Sequence, residues 1–190
     1  HGTAGGFVTV TRPVFCNESG STLRFMIPLF SLTAQKVRFT GAGRLFDRPQ
    51  AIYQMLFERQ GLQFEQTPEG ITIFGRLRPG GFTLPGDVSS QFISGLLFAL
   101  PLLAGDSTLH LIPPVESRSY IDMTRAVQAA FGVQSRWLDE NTLFLPGNQH
   151  YHPCDYTVEG DYSQAAFPAV LGAVCGGVTI TGLAPDTLQG

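Results

Sequence analysis

The 190-residue chain is poor in lysine, poor in cysteine and free of long apolar runs. Lysine occurs once, at Lys36, and the 12 basic residues are scattered without runs against 15 acidic ones, for a formal charge of -3. That balance argues against the basic stripe with which a protein grips nucleic acid or an anionic lipid surface. Small anions stay open as ligands, because a few convergent donors bind them whatever the net charge. Cys16, Cys154 and Cys175 are odd in number, far apart and in no C-x-x-C spacing, so neither a disulfide framework nor a zinc site is indicated. Three reduced, mostly buried thiols are expected. No apolar stretch approaches ~18 residues, and the opening "HGTAGGF" has neither the basic nor the apolar region of a secretory leader. The expectation is a cytoplasmic protein with no membrane and no nucleic acid among its partners.

What is there is a core and a repeat. At 43% hydrophobic residues the chain can bury roughly two-thirds of its unfolded surface, enough for one full core or two small ones. "KVRFTG" (36–41) is matched by "TLHLIP" (108–113), "ERQGLQFEQ" (58–66) by "AAFGVQSRW" (129–137) and "GITIFG" (70–75) by "NTLFLPG" (141–147), at an offset of about 71 residues. Each unit predicts an apolar helix, a strand, a second helix and a strand pair; in the first these fall at about 20–33, 36–40, 48–60, 62–66 and 71–75. "TPEG" (67–70) and "DEN" (139–141) predict hairpin turns. Asp47 is expected to cap the second helix ahead of Arg48-Pro49, and Gly61 and Gly132 to stop helices. A third unit starts in "DYSQAAFPAVLGAVCGGVTITGL" (161–183), again as helix then strand. "RPGGFTLPGD" (78–87) and "PGNQHYHPCD" (146–155) read as linkers. His150 and His152 stand two apart in the second of these, near Cys154 but without the spacing of a metal pair, and are expected to be solvated.

Polar residues gather at equivalent helix starts: Glu18-Ser19-Gly20-Ser21-Thr22, Ser89-Ser90-Gln91 and Asp161-Tyr162-Ser163-Gln164. A helix needs one cap, so the surplus asks for a reason. The first turn of a helix carries unpaired N–H groups and partial positive charge, which suits phosphate or carboxylate. Serine hydroxyls add donors, and Gly20 allows an anion to reach the backbone. The loops after the next strands, "GAGRLFDRP" (41–49) and "PPVESRSYID" (113–122), add Arg44, Ser117, Arg118 and Tyr120. Arg44 is the ligand candidate, and Arg48 is expected to be an ordinary surface residue.

With "ESGSTLRF" (18–25), "FTGAGRLFDRP" (39–49), "PGDVSSQFISGLLFALPLL" (85–103), "ESRSYIDMT" (116–124) and "VEGDYSQAAF" (158–167) in this order, the chain resembles the 5-enolpyruvylshikimate-3-phosphate synthase family. The resemblance implies an α+β fold of α/β repeats, with βαβαββ units of the enolpyruvyl transferase inside-out barrel type. It implies a transferase that moves the enolpyruvyl group of phosphoenolpyruvate to the 5-hydroxyl of shikimate 3-phosphate through a tetrahedral adduct, without a metal or other cofactor. Residues 1–155 would form a substrate-binding domain of two repeats (about 17–80 and 84–150), and 156–190 a crossover into a further repeat of the other domain. Ser89, Ser90, Gln91, Ser117 and Tyr120 would contact shikimate 3-phosphate. Gly20, Ser21, Arg44 and Gln91 would contact phosphoenolpyruvate, where glyphosate also sits. Many members have Asn-Ala-Gly-Thr where this chain has Glu18-Ser19-Gly20-Ser21, which places a carboxylate near the anion site. The family's acid, lysine and arginine groups from the other domain have no counterparts here, and Lys36 matches none of them. The expectation is therefore a trimmed piece of the enzyme whose partner is the missing domain, inactive alone. Two other readings remain open: a piece of the related UDP-N-acetylglucosamine enolpyruvyl transferase, and a non-catalytic scaffold of the same fold.

Overall fold

Alternation along the strands decides which side of each sheet meets the core. In a computed structural model describing residues 9–189, β2 (Val37–Thr40) turns Val37 and Phe39 inward and Arg38 outward. It pairs in parallel with the short β1 (Val14–Phe15) and antiparallel with β4 (Gly70–Phe74). β3 (Gln63–Thr67) closes on β4 as a hairpin whose last pair is Thr67 and Gly70. The second half repeats the plan: β5 (Gly81–Pro85) parallel to β6 (Ser107–Ile112), then β8 (Thr142–Leu145), then β7 (Arg136–Trp137). The strand orders are β1-β2-β4-β3 and β5-β6-β8-β7, the same pattern twice.

Helices α1 (Gly20–Phe30), α2 (Ala51–Gln60), α3 (Ser90–Ala99) and α4 (Arg118–Ala130) supply the crossovers. α1 packs principally on α3, and α3 also packs on α4. Leu23 and Ile27 of α1, Tyr53 and Phe57 of α2, and Ile93, Leu96 and Leu97 of α3 join the inner faces of both sheets, Phe39 and Ile71 from one and Leu109 and Leu143 from the other, in a single buried cluster. Each such side chain contributes about 1.5–3 kcal/mol by leaving water. The helices thus share one core and the sheets form its outside.

Several expectations need correction. The supposed linker 78–87 contains β5: Phe82 and Leu84 alternate with exposed Gly81 and Thr83, a strand pattern hidden between Gly and Pro. Asp47 does not cap α2. It ends a short 3-10 turn, Leu45–Asp47, and α2 begins at Ala51 after Gln50. The cause is Pro49, which drives Arg48 into an extended conformation (φ -75, ψ 132) and so delays the helix. α1 ends at Phe30, three residues short of the expected 33. Gly61 does close α2 in the left-handed region (φ 69), where a Cβ would be strained.

In the third segment, α5 (Tyr162–Cys175) forms, capped by Asp161, whose Oδ1 accepts from the Ser163 and Gln164 amides. The expected strand at 179–182 does not form, because no neighbouring strand offers it a ladder. α5 buries none of its residues, and Phe167, Val170, Leu171 and Val174 are exposed. The thiols differ from expectation: Cys16 is buried in the core, whereas Cys154 and Cys175 lie exposed, the latter at the end of the unburied α5. No helix among the described residues is long and apolar enough to cross a membrane.

Candidate functional site

The α1–α3 crossing brings two polar helix starts together. Gly95 lies at the crossing, where any side chain would run into the Arg24 carbonyl and the Tyr53 hydroxyl. That close approach, with Tyr53 donating to the Arg24 carbonyl (2.6 Å) and the Phe92 carbonyl (3.3 Å), locks α1, α2 and α3 in fixed register. The first turns of α1 and α3 consequently touch. Arg24 Nη1 donates to Gln91 Oε1 (2.8 Å) and to Ser89 Oγ (3.4 Å), and Gln91 Nε2 donates to Ser21 Oγ (2.7 Å). Ser19 serves as the actual cap of α1: its Oγ accepts from the Thr22 amide (3.1 Å) and hydroxyl (2.9 Å). Ser21, Ser89 and Gln91 are thereby free of capping duty. Ser89, at the cap position of α3, makes no side-chain cap bond.

Arg24 is the only charged residue of α1. Its guanidinium lies over the Phe92 ring at 4.4 Å, and its Nε is buried without a partner. Burial lowers its pKa; Tyr53 opposes that shift and the nearby Arg48 adds to it. An arginine stays protonated through such a shift, so the seat carries a fixed positive charge.

Arg48 closes the other side. The residue is exposed, as expected of a surface position, yet its Nη1 lies 3.0 Å from where a Cβ on Gly20 would stand, with Gln91 Oε1 at 3.7 Å from the same point. Gly20 therefore keeps open a small space between two helix starts and a guanidinium. Arg44 points away: its side chain is 89% exposed and pairs with Asp47 at 3.4 Å. Arg44, Asp47, Arg48 and Pro49 line a shallow cavity of about 340 Å³ beside the seat. This loop is tied to the start of α1, since the Ala42 amide donates to the Asn17 carbonyl at 2.9 Å. The Glu18 carboxylate covers Gly43 in the same loop, so that a side chain there would collide with it.

Among the described residues, Ser90, Ser117 and Tyr120 make no side-chain hydrogen bond into this cluster. Ser117 opens α4, and the Glu116 amide beside it donates to the Gly86 carbonyl (3.2 Å), three residues ahead of Ser89. Tyr120 is exposed; its carbonyl accepts from the Thr124 hydroxyl, which meets Ser94 of α3 at 2.8 Å. Arg118 stacks on Trp137 at 3.9 Å instead of facing the seat. His150 and His152 are exposed, and no group of three metal-ligating side chains occurs among the described residues. A larger cavity of about 520 Å³ lies on the outer face of the first sheet, lined by Lys36, Arg38, Glu65 and Glu69 among others. Its charges are of both signs and it is remote from the helix starts.

Sequence reasoning missed Arg24. The signal was present in "ESGSTLRF": one cation in an otherwise uncharged apolar helix, one turn after the polar start. The site as folded is a cationic, donor-rich seat. No histidine, lysine or carboxylate hydrogen-bonds into it among the described residues.

Duplicated four-stranded units wrapped around a shared helical layer, with polar helix starts meeting one another, define a repeat-built α+β protein of the enolpyruvyl transferase kind. EPSP synthase from Acinetobacter baumannii superposes with a TM-score of 0.68 at 23% identity, over 83% of this chain and 35% of that one. The profile of the family described as EPSP synthase (3-phosphoshikimate 1-carboxyvinyltransferase) matches residues 1–190, and the chain belongs to that family. Among curated relatives of that name, the Clostridium kluyveri protein is 44% identical over 185 residues, covering 95% of this chain and 43% of the relative. The Brachyspira hyodysenteriae protein is 42% identical over 173 residues, covering 91% of this chain and 41% of the relative. The chain thus spans less than half the length of the relatives it matches.

Proposed function

We propose that this chain provides part of the substrate seat of an enzyme that transfers the enolpyruvyl group of phosphoenolpyruvate to the 5-hydroxyl of shikimate 3-phosphate, as the names of its relatives imply. Ser89, Ser90 and Gln91, with Ser117 and Tyr120, would hold shikimate 3-phosphate. Gly20, Ser21 and Gln91, with Arg44 swinging in from its exposed loop, would hold phosphoenolpyruvate. Both ligands are anions, and the observation that carries the reading is the Ser21–Gln91–Arg24 linkage, which joins the helix starts of two repeats into one donor-lined place. Serine, glutamine and arginine bind and orient here. The proton movements of a tetrahedral-adduct mechanism need a positioned acid and base, which the proposal assigns to a second domain of the same enzyme. Residues 1–155 then form the substrate-binding unit and 156–190 the crossover towards that domain, supported by the exposed apolar side chains of α5. A cytoplasmic setting goes with this reading.

Titration of the isotope-labelled chain with shikimate 3-phosphate, followed by amide NMR, is the test. The amides of Ser21, Ser89, Ser90, Gln91 and Ser117 should shift together and saturably. A response to a UDP-sugar alone, or shifts confined to other surfaces, would refute the assignment.

A further inference from the structure

The hydrogen-bond network at the seat has a direction, and Arg24 sets it. A guanidinium has only donors, so the atom of Gln91 that meets Arg24 Nη1 at 2.8 Å is the amide oxygen. The amide nitrogen therefore faces Ser21 and donates to its Oγ at 2.7 Å. Having accepted that bond, the Ser21 hydroxyl is free to direct its own proton elsewhere. Ser89 Oγ accepts from the same Arg24 Nη1 at 3.4 Å, which leaves its proton free as well. One cation thus leaves the hydroxyl hydrogens of Ser21 and Ser89 and the second Gln91 amide hydrogen uncommitted within this cluster, beside the space that Gly20 keeps open against Arg48. The alternative amide orientation would oppose N–H groups to a guanidinium and turn the amide oxygen to Ser21, whose hydroxyl proton would then be spent on it.

We infer that Arg24 is a positioning residue: resting on Phe92 and bonded to Gln91 and Ser89, it fixes the sense of the Gln91 amide and polarises the seat for a phosphorylated or carboxylated ligand. This rests on the substrate reading above for the ligand's identity, but not for the positioning itself. The arrangement explains why a charged residue stands in an apolar helix. It also explains why the guanidinium stem is packed on a ring and not free to reach substrate, since the Phe92 face holds the fork at a set angle.

The test uses the chain with Arg24→Met, Arg24→Lys and Gln91→Glu, and reads the Gln91 side-chain NH2 pair, identified by its absence from Gln91→Ala. In the unliganded chain the pair should stand apart from solvent-exposed glutamines. In Arg24→Met it should collapse to the exposed-glutamine position while the backbone amides of Phe39 and Leu109 stay in place, and shikimate 3-phosphate should bind about tenfold more weakly or worse. Arg24→Lys, which keeps a charge and a donor but not the fork, should lie between. Gln91→Glu keeps an acceptor for Arg24 but no donor for Ser21, and should weaken binding at least as much. If Arg24→Met does not fold, Arg24→Lys still reports on the amide. An unmoved Gln91 pair in the Arg24 variants overturns the inference whatever the ligand does. A moved pair in a chain that ignores shikimate 3-phosphate instead overturns the substrate reading and leaves the positioning role intact.

Discussion

Gly20 is where space and charge compete. A methyl group there would meet the end of the Arg48 side chain at 3.0 Å, a flexible group that can move aside, and no backbone atom. Gly20 is the first residue of α1, so alanine there would favour folding by at most the roughly 0.5–1 kcal/mol of an interior helix position. Gly20→Ala is therefore expected to leave the melting temperature unchanged or slightly raised, while phosphoenolpyruvate or inorganic phosphate loses affinity at the seat; thermal denaturation beside a phosphate titration checks both. Tyr53 makes the opposite case, a residue that matters for stability. Burial raises its pKa well above the ordinary tyrosine value. In the unfolded chain it loses its proton near pH ~10, and in the folded chain only at higher pH. The unfolded state therefore binds fewer protons above that point, and stability falls as pH rises. Urea midpoints measured from pH 8 to 11 should decline at the alkaline end. Tyr53→Phe should start lower, having lost the bonds to the Arg24 and Phe92 carbonyls, and decline less.

At the level of elements, the α1–α3 contact governs both core and site. Its closest point is Gly95, where a Cβ would strike the Arg24 carbonyl and the Tyr53 hydroxyl, neither able to retreat without moving a helix. Gly95→Ala should cost about 3 kcal/mol, the upper part of the usual range for overpacking, read as a lower urea midpoint. It should also disturb the Gln91 amide, since parting the helices parts Ser21 from Gln91. Much of this level was legible in the sequence. The alternation in "KVRFTG" and "TLHLIP" placed β2 and β6, the turns at 67–70 placed the β3–β4 hairpin, and Gly61 marked the end of α2. β5 was hidden because it is bounded by Gly81 and Pro85, which read as turn residues but are compatible with the ends of a strand, and because its partner, β6, lies more than twenty residues away. The start of α2 was misplaced because Pro49 acts backwards on Arg48, a steric effect that outweighs the cap preference of Asp47.

For the molecule as a whole, residues 14–145 share one core, and residues beyond about 156 do not contribute to it. Brief digestion with a low level of a broad-specificity protease should cut between about 150 and 161, where the chain is mostly exposed and in neither helix nor strand, and release α5. The remaining piece should keep the melting temperature of the intact chain. A protected 150–161 segment, or a stability drop on cleavage, would show that α5 contributes to the core after all.

The sequence by itself determined the duplication, the strand faces, the helix ends at glycine and the family, because these depend on residue spacing and on local backbone chemistry. It also marked the serine and glutamine clusters as more than caps. The tertiary structure alone decided that Gln91 of one repeat meets Ser21 and Arg24 of the other, that Arg48 faces Gly20, and that Arg44 turns out to Asp47. The Gln91 pairings join residues 67 and 70 positions apart and follow from how closely two helices approach at a glycine. That distance is set by packing, to which no local pattern in the chain gives access.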